Sequence, residues 1–539
     1  GGTGAGLINS TEGTLYAEIA ALDNDGTNRF ISLSDGTISN RINIVFDTSN
    51  NINARQAPGG VNISTSGINI LNSNKIAYKY QNGSQELWVN GLKIGTTNVA
   101  TLPSGLDRLS FDSFNGGDLM YSKTKALAVW KTALSDQELA DLTYPTPTFP
   151  TFTLDFNTIA EQFTFARGSE ATYVDAQGLI QSTASNNAPR LDYSTGAEAF
   201  LLEPQSTNLI TQSETFNDAY WTKSGTSITP NATTSPDGTT NADSLVEDSA
   251  NSQHYLQRNF TSTNGSSYTY KIYVKMNGRR NISLRENGST GYYVSFDLLN
   301  GVILEQSNAT GTIKELTNGW FEITHTSVAG NSFNVAYYLL SDSYTSGNPQ
   351  TSPYQGDGVS GFYIWGAMLE QQSYATSYIK SEGSQTTRNQ ETCINATPEI
   401  NSEEGVLYAE IKRAEGNSNS ASISLNDGTS SNGVSMYFFG VNNFYVDIFN
   451  SSGTVTIAAG AVSISDYIKV AVKYKNGDSA IWINGIEVGT NSSAVSLVGL
   501  NQLLFKYTNG SLPFYGNTKD VQVYTKALSD AELIKLTTI

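Results

Sequence analysis

Cysteine, histidine and charged residues are all scarce in this chain of 539 residues. Its one cysteine, Cys393, excludes a disulfide within the chain, which is typical of folding in a reducing compartment or of domains too large to need cross-links. Charged residues make up 15%, and 31 Lys and Arg against 49 Asp and Glu give a formal net charge of −18. Because an acidic surface repels phosphate groups, this composition argues against nucleic acid as a partner.

Long apolar runs are absent as well. No stretch approaches the roughly 20 apolar residues that span a bilayer, and the opening residues GGTGAGLINSTEG lack the charged and apolar regions of a signal peptide. We therefore predict no membrane insertion. What the chain does contain is many small polar residues with 29 Tyr and 22 Phe, a mixture that favours strands and tight turns over helices.

The two ends of the chain repeat each other. ELWVNGLKIGT at 86–96 returns as AIWINGIEVGT at 480–490, and EGTLYAEI at 12–19 returns as EGVLYAEI at 404–411. TALSDQELADLT at 132–143 returns as KALSDAELIKLT at 526–537. A chain of this length exceeds the roughly 250 to 300 residues at which single cores stop growing, so we expect several domains, with one domain present twice.

Each copy shows the period of an antiparallel strand. Apolar and polar side chains alternate in KIAYKY at 75–80 and in YIKVAVKY at 467–474, as in sheets that have one wet face. The pairs Asn90-Gly91 and Asn484-Gly485 tolerate the positive φ angles of a type I′ turn, so each predicts a two-residue hairpin.

One short helix is predicted near the end of each copy. Ser135 is followed three residues later by Glu138, and Ser529 by Glu532, which is the spacing of a capping box. Strands followed by a single terminal helix with this sequence resemble the concanavalin A-like, laminin-G-type lectin sandwich. The resemblance implies a two-sheet jelly roll at each end, in a family that often binds sugars and is also used as an inert spacer.

The segment between the copies has a different character. TYPTPTFPTF at 143–152 reads as a short linker because its prolines stiffen the chain. The wording of 163–193 and 200–221, including FTFARGSEATYVDAQG, APRLDY and FLLEPQSTNL, resembles the connecting segment of bacteriophage virion proteins, tail fibres in particular. Gly1 aligns with Cys393, so we expect the natural protein to extend further N-terminally, with another connector and sandwich.

A further sandwich is predicted after the connector. SPDGTTNADSLVED at 235–248, YTYKIYVKM at 268–276, GWFEITHTS at 319–327 and the segment 358–379 resemble a galactose-binding-like jelly roll of the same phage proteins. The fold class is therefore all-β, with tandem antiparallel β-sandwiches that are concanavalin A-like at both ends. The predicted domains are the first lectin-like sandwich at 1–144, the linker and connector at 145–222, the carbohydrate-binding-module-like jelly roll at 223–381, and a connector with the second lectin-like sandwich at 382–539.

Catalytic constellations are not evident. The chain has two histidines, His254 and His325, and no nucleophile elbow or zinc-ligand spacing; His325 shares a face with apolar neighbours and reads as a buried sheet residue. Glycoside hydrolysis needs only two carboxyl groups, but Glu12 and Glu18 lack the strand spacing of the concanavalin A-like glucanases. We predict that the protein is not an enzyme.

Candidate sugar-binding residues come from the repeated hairpin. If the residues flanking Trp88 and Trp482 face the core, each indole faces away from it and is free to stack on a pyranose ring. Asn90 and Asn484 would add hydrogen bonds, and Trp320 is a further candidate. The alternative is that each tryptophan only covers neighbouring strands.

A metal site is a weaker candidate. The segment DNDGTN at 23–28 offers Asp23 and Asp25 ahead of a glycine, and carboxylates are the hard oxygen ligands that calcium prefers. A plain β-turn explains the same residues, because the second copy has no matching carboxylates. We predict no cofactor, with calcium as the possible exception.

The resemblance to phage fibres implies a function for the whole chain. It implies a virion component that folds in the host cytoplasm, is displayed on the virion surface, and binds host surface polysaccharide through several weak sites. It also implies contacts with other virion proteins and assembly as a trimer. Two alternatives remain: a structural decoration or spacer of the capsid or tail, and a secreted bacterial carbohydrate-binding adhesin.

Overall fold

A computed structural model describes residues 6–144, 149–183, 185–286, 291–330, 332–414 and 421–539. The chain divides between residues 148 and 149 into two compact units, and both consist mainly of antiparallel strands. The predicted all-β sandwich fold is therefore confirmed. In the described ranges, no helix is long and apolar enough to cross a membrane.

In its described residues, 6–144, the first unit holds ten strands and one helix. They are β1 (Glu12–Ala21), β2 (Arg29–Ser34), β3 (Arg41–Phe46), β4 (Ile52–Ala57), β5 (Val61–Thr65), β6 (Asn74–Gln81), β7 (Ser84–Val89), β8 (Leu92–Thr97), β9 (Arg108–Ser110), β10 (Ser122–Trp130) and α1 (Asp136–Thr143). One sheet has the order β10-β1-β6-β7-β8 and carries α1 on its outer side, so we call it the helix-side sheet. The opposite sheet has the order β5-β4-β3-β2-β9. Alternate residues of both sheets meet in one apolar core.

The second unit opens with the connector and continues into the central jelly roll. The connector contains β11 (Phe152–Thr153), α2 (Ile159–Gln162), β12 (Thr164–Ala166), β13 (Thr172–Val174), β14 (Ile180–Ser182), β15 (Arg190–Asp192), β16 (Ala199–Leu202) and β17 (Ser206–Asn208). The jelly roll contains β18 (Thr222–Ser224), β19 (Thr226–Thr233), β20 (Ala242–Glu247), β21 (Asn251–Ser252), β22 (His254–Thr261), β23 (Ser267–Asn277), β24 (Asn281–Glu286), β25 (Tyr292–Asp297), β26 (Val302–Ser307), β27 (Ile313–Glu315), β28 (Trp320–Val328), β29 (Ser332–Leu340), β30 (Tyr354–Gln355) and β31 (Gly361–Glu370). Its two six-stranded sheets have the orders β18-β22-β29-β24-β25-β26 and β19-β20-β31-β23-β28-β27.

The second copy of the repeated sandwich completes this unit. Its elements are β32 (Thr386–Arg388), β33 (Thr392–Ile394), β34 (Glu404–Arg413), β35 (Ser422–Asn426), β36 (Gly433–Phe439), β37 (Asn443–Asn450), β38 (Gly453–Ala461), β39 (Ile468–Lys475), β40 (Ser479–Ile483), β41 (Ile486–Asn491), β42 (Gln502–Leu504), β43 (Gly516–Tyr524) and α3 (Asp530–Thr537). The opposite sheet has the order β38-β37-β36-β35-β42. The helix-side sheet, β43-β34-β39-β40-β41, is extended beyond β43 by connector strands β16 and β15, and β11 also pairs with β43.

The local signals of the repeat form the predicted structures. Asn90 and Gly91 have φ angles of 50° and 85°, and Asn484 and Gly485 have 51° and 82°, as a type I′ hairpin requires. Both predicted capping boxes are present at the starts of α1 and α3. These hairpins and helices are therefore confirmed in both copies.

Buried ion pairs bind the connector to the second copy. Glu391 accepts hydrogen bonds from Arg167 Nη1 at 2.8 Å and from Arg190 Nε at 2.9 Å, and Glu203 pairs with Nη1 of Arg190 and of Arg388, both at 2.8 Å. All five side chains are buried. Burial alone would raise the pKa of Glu203, but Arg388 and Arg190 outweigh that effect and lower it to about 2. The connector sequence thus supplies charged residues to an ion-pair network that is buried in the second unit.

Candidate functional site

The outer face of the opposite sheet in the second copy carries an unusual set of aromatic side chains. Strand β36 turns Val434, Met436 and Phe438 into the core, so the alternation of a strand turns Tyr437 and Phe439 outward. Phe439 is 57% exposed. The strand thus places two aromatic rings on the surface of the sandwich.

The neighbouring strand β37 adds a third ring and a carboxylate. Tyr445 pairs directly with Tyr437, and Asp447 pairs with Ser435. The Tyr437 and Tyr445 rings stack with their centroids 5.8 Å apart and an angle of 23° between planes. The Phe439 ring meets Tyr445 edge-on at 6.2 Å. The three rings therefore form a continuous aromatic platform.

The loop after β42 closes one side of this platform. Tyr507 packs edge-on against Tyr437 at 5.6 Å, and its hydroxyl donates to Asp447 Oδ2 at 2.7 Å. The Thr456 hydroxyl donates to Asp447 Oδ1 at 2.6 Å. We call the set Tyr437, Phe439, Tyr445, Asp447 and Tyr507 the tyrosine face.

The electrostatics of the tyrosine face keep its hydroxyl groups protonated. Burial and the Asp447 carboxylate raise the pKa of both Tyr437 and Tyr507 above the usual tyrosine range. The face therefore presents apolar ring surface and phenol hydroxyls, beside the Asp447 carboxylate, which is 8% exposed. These are the groups that bind a sugar ring through its apolar face and its hydroxyls.

A buried arginine holds the hairpin that carries Phe439. Arg413 donates through Nη1 to the Gly440 carbonyl at 2.9 Å and through Nη2 to the Val441 carbonyl. Its guanidinium lies 5.2 Å from the centroid of the Phe438 ring. The tip of the β36–β37 hairpin is thereby tied to the end of β34, which fixes the edge of the platform.

The first copy does not repeat this face. Val45, Asn53, Arg55 and Ser113 stand at the positions that align with Tyr437, Tyr445, Asp447 and Tyr507. Arg55 lies 5.9 Å from the Phe30 ring centroid, and Arg41 lies 5.0 Å from that of Phe114. The two copies therefore share a fold but present different chemistry on this sheet.

A cavity of about 530 Å³ lies inside the second unit, where connector, jelly roll and second sandwich meet. Tyr273, Tyr374, Lys271 and Glu322 are among the residues that line it. Lys271 Nζ donates to the Thr376 carbonyl at 2.6 Å and lies 3.4 Å from Glu322 Oε2. Its central charges are thus paired with each other, which suits a structural junction better than a ligand site.

The predicted outward tryptophans are covered. Trp88 and Trp482 do point away from the sandwich core, but they are only 7% and 5% exposed because α1 and α3 pack over them. Trp88 Nε1 donates to Glu86 Oε2 at 3.0 Å. The expectation that these indoles are exposed was wrong, because α1 packs against Trp88 and α3 packs against Trp482. A covered ring offers no face to a sugar.

The other predicted sugar-binding residues also have structural partners. Asn90 and Asn484 accept through Oδ1 from the backbone N–H of Lys75 at 3.0 Å and of Lys469 at 2.9 Å, inside their hairpins. Trp320 is buried in the jelly roll, and its Nε1 donates to the Thr234 carbonyl at 3.1 Å. Asn90, Asn484 and Trp320 therefore serve local structure, and none of them belongs to the tyrosine face.

The acidic segment at 23–28 forms a turn. Asp25 Oδ1 accepts from Thr27 N at 3.0 Å and pairs with Arg29 Nη2 at 2.7 Å, and Asp23 accepts from Asn24 N at 2.8 Å. Within the described residues, no group of three or more His, Cys, Asp or Glu side chains could hold a metal ion. Calcium binding at Asp23 and Asp25 stays a prediction.

Both histidines are buried in the jelly roll. His325 stacks on Tyr270 with centroids 4.5 Å apart, and burial lowers its pKa to about 3. His254 lies with Nδ1 2.9 Å from the Gly225 carbonyl oxygen. The interpretation of His325 as a buried sheet residue is confirmed.

Sequence reasoning missed the tyrosine face. The signal was present, because SMYFFG at 435–440 and NFYVDIF at 443–449 alternate with aromatic and acidic residues on one side. The stretches that the two copies share do not contain these residues. The tyrosine face lies where the copies differ.

Comparison with known families agrees with the fold. Residues 384–534 match the family model of the concanavalin A-like lectin/glucanases superfamily of laminin G type, and the tyrosine face lies inside this range. No curated protein matches the chain. The match to the concanavalin A-like superfamily is therefore confined to the second copy and the residues just before it.

Solved structures with partial similarity include sugar-binding modules. The CBM40 of Ruminococcus gnavus IT-sialidase bound to α2,3 sialyllactose is 23% identical over 25% of this chain and 84% of that chain, with a TM-score of 0.23. Domains LG4-5 of the mouse laminin α1 chain are 11% identical over 52% and 90%, with a TM-score of 0.19. The NanB sialidase of Streptococcus pneumoniae is 12% identical over 92% and 79%, with a TM-score of 0.23. We draw no conclusion from similarities this low.

Proposed function

We propose that this chain is a non-catalytic glycan-binding protein and that the tyrosine face of the second copy is its sugar site. The observation that carries the proposal is the set of stacked and exposed aromatic rings on the outer side of a lectin-type sheet, next to a carboxylate that is 8% exposed. Tyr437 and Tyr445 stack, Phe439 is exposed, and Asp447 is fixed by two hydroxyl donors.

The binding mode follows from these groups. A pyranose ring lies with its C–H face on the exposed Phe439 ring, and Tyr445, which meets Phe439 edge-on, flanks the sugar. Aromatic contact supplies most of the binding energy. Its hydroxyls reach Asp447, a charged acceptor whose hydrogen bonds are stronger than those between neutral groups. Because the raised pKa values of Tyr437 and Tyr507 keep both hydroxyls protonated, both remain hydrogen-bond donors.

Asp447 suits binding better than catalysis. Glycosidases require a second carboxyl group about 5 to 10 Å away, one group being protonated and the other ionised. The hydroxyl groups of Tyr507 and Thr456 hold Asp447 as a fixed acceptor, which supports a binding role.

At the level of the whole protein, we propose a component of a bacteriophage fibre on the virion surface. The support is the connector wording, which resembles that of phage fibres, and the sandwiches that flank a jelly roll. Trimeric assembly would bring several copies of one weak site together and raise the apparent affinity for a host polysaccharide. The first copy lacks the tyrosine face, which favours a spacer role for that sandwich.

A glycan array probed with the full-length chain tests this proposal. We expect binding to one class of neutral or mixed oligosaccharide, followed by titration of the best ligand. Tyr445→Ala should weaken binding by about 3- to 10-fold, the equivalent of about 0.5 to 1.5 kcal/mol for one aromatic contact. Asp447→Asn keeps the side-chain shape and should weaken glycan binding more than Tyr445→Ala does.

The matched control is Tyr121→Ala, which removes an exposed tyrosine from the first unit. It should leave binding unchanged. If no glycan binds, the protein is a spacer instead. If a glycan binds but Tyr445→Ala behaves like Tyr121→Ala and the parent chain, the sugar site does not lie on the tyrosine face. Immunogold labelling of virions and of cell surfaces separates the fibre from a bacterial adhesin.

A further inference from the structure

The first copy has a sheet edge that the second copy covers. In the first unit, β10 is the last strand of the helix-side sheet. Its counterpart β43 pairs on that same side with two connector strands, with Phe200 opposite Thr518 and Phe152 opposite Val523. An unpaired edge exposes a row of backbone donors and acceptors that can pair with another strand.

Apolar side chains next to this edge are exposed only in the first copy. Phe111 is 43% exposed, whereas the aligned Phe505 is 2% exposed. Tyr121 is 60% exposed, whereas the aligned Tyr515 is 8% exposed. A cluster of large exposed apolar side chains on a polar protein marks an interaction surface.

The second copy shows what covers the equivalent surface. Phe505 packs edge-on against two connector rings, Phe163 at 5.4 Å and Phe200 at 5.8 Å. The backbone N–H of Leu154 donates to the Val521 carbonyl of β43 at 2.9 Å. The cover thus combines strand pairing with aromatic packing, and it consists of chain that precedes the sandwich in sequence.

The lysine at position 125 does not oppose such pairing. Lysines on an edge strand often prevent association with another strand, and β10 carries Lys123 and Lys125. However, β43 carries Lys519 at the position aligned with Lys125, and β43 is paired on both sides. Lysine at this position is therefore compatible with a covered edge.

We propose that the β10 edge of the first sandwich, with Phe111 and Tyr121, is the docking surface for a connector of the type formed by residues 149–202 when such a segment is joined directly N-terminal to the sandwich. Its strands add to β10 as β11 and β16 add to β43, and its aromatic side chains cover Phe111. This proposal concerns assembly of the repeat and is independent of sugar binding at the tyrosine face.

A tandem fusion tests the proposal. Residues 149–392 are placed directly before Gly1, which keeps the alignment of Gly1 with Cys393, and hydrogen exchange of the backbone amides of β10 is measured in the fusion and in the parent chain. We expect exchange in residues 122–130 to slow by at least about tenfold, because strand pairing makes local opening rarer. The control fusion carries Phe163→Ser and Phe200→Ser in the added segment only, and it should lose this protection.

A second readout does not depend on exchange. Tyr121→Cys should react with a maleimide at least about tenfold more slowly in the fusion than in the parent chain, because burial blocks access to the thiol; Cys393 is buried and serves as the internal reference. Equal exchange and equal labelling in both proteins would overturn the proposal. Protection of β10 in the parent chain that rises with protein concentration would identify a second copy of the chain as the occupant, and would also overturn it.

Discussion

Replacing Glu391 by glutamine tests whether the connector is an integral part of the second unit. Glu391 lies between Arg167 and Arg190, accepts from both guanidinium groups, and also accepts from the Glu203 backbone N–H at 2.8 Å. Its side chain is fully buried. Glutamine keeps the shape but removes the charge and turns one acceptor into a donor that faces an arginine. The variant thus leaves the buried guanidinium groups with one carboxylate fewer.

The expected loss is large for one isosteric substitution. Breaking a buried ion pair on one side costs about 3 to 5 kcal/mol, because the remaining charge stays buried without compensation. With an unfolding entropy of about 2.1 cal/mol/K per residue, a cooperative unit of roughly 390 residues should melt about 4 to 6 °C lower. Differential scanning calorimetry of the full chain measures this shift, and the transition of the first unit provides an internal reference.

The matched control is Glu18→Gln in the first unit. Glu18 pairs with Lys125 at 3.2 Å, but Lys125 is 67% exposed, and an exposed pair contributes about 0 to 1 kcal/mol. The reasoning is refuted if Glu391→Gln lowers the melting temperature of the second unit no more than Glu18→Gln lowers that of the first.

Three further predictions concern stability. The pKa of His325 is about 3 in the folded chain and about 6.5 in an unfolded one, so its contribution to the free energy of unfolding is complete above pH 6.5 and is lost as the pH falls toward 3. Between pH 6.5 and 5 the free energy of unfolding should therefore fall by about 2 kcal/mol. His325→Phe should remove this part of the pH dependence measured by chemical denaturation. Ser529→Ala should cost about 1 kcal/mol in the second unit, with Ser135→Ala costing the same in the first, because each removes one capping box. Trp482→Ala should cost about 3 to 5 kcal/mol in denaturant titration, as for a buried core ring, and a change below about 1 kcal/mol would show that α3 does not depend on it.

The repeated stretches were the easiest part of the fold to predict. The turn at Asn90-Gly91 and the cap at Ser135 depend on residues at most three positions apart, so local sequence determines them. The burial of Trp88 depends on where α1 packs, about 50 residues further along the chain. The alternation around Trp88 gave its direction correctly but could not show that a helix would cover it.

The connector was harder to predict for a physical reason. Strand β16 has four residues and pairs with Gly516, Asn517 and Thr518, more than 300 positions away. A strand this short has too few residues to show a period, and its partner is not adjacent in sequence.

A crystal structure of the full-length chain with the oligosaccharide selected on the array tests the central claim most directly. We predict one sugar ring lying on Phe439 and flanked by Tyr445, with a ring hydroxyl within hydrogen-bond distance of Asp447. Electron density for the sugar away from this face, for example in the cavity beside Tyr273 and Tyr374, would contradict the account.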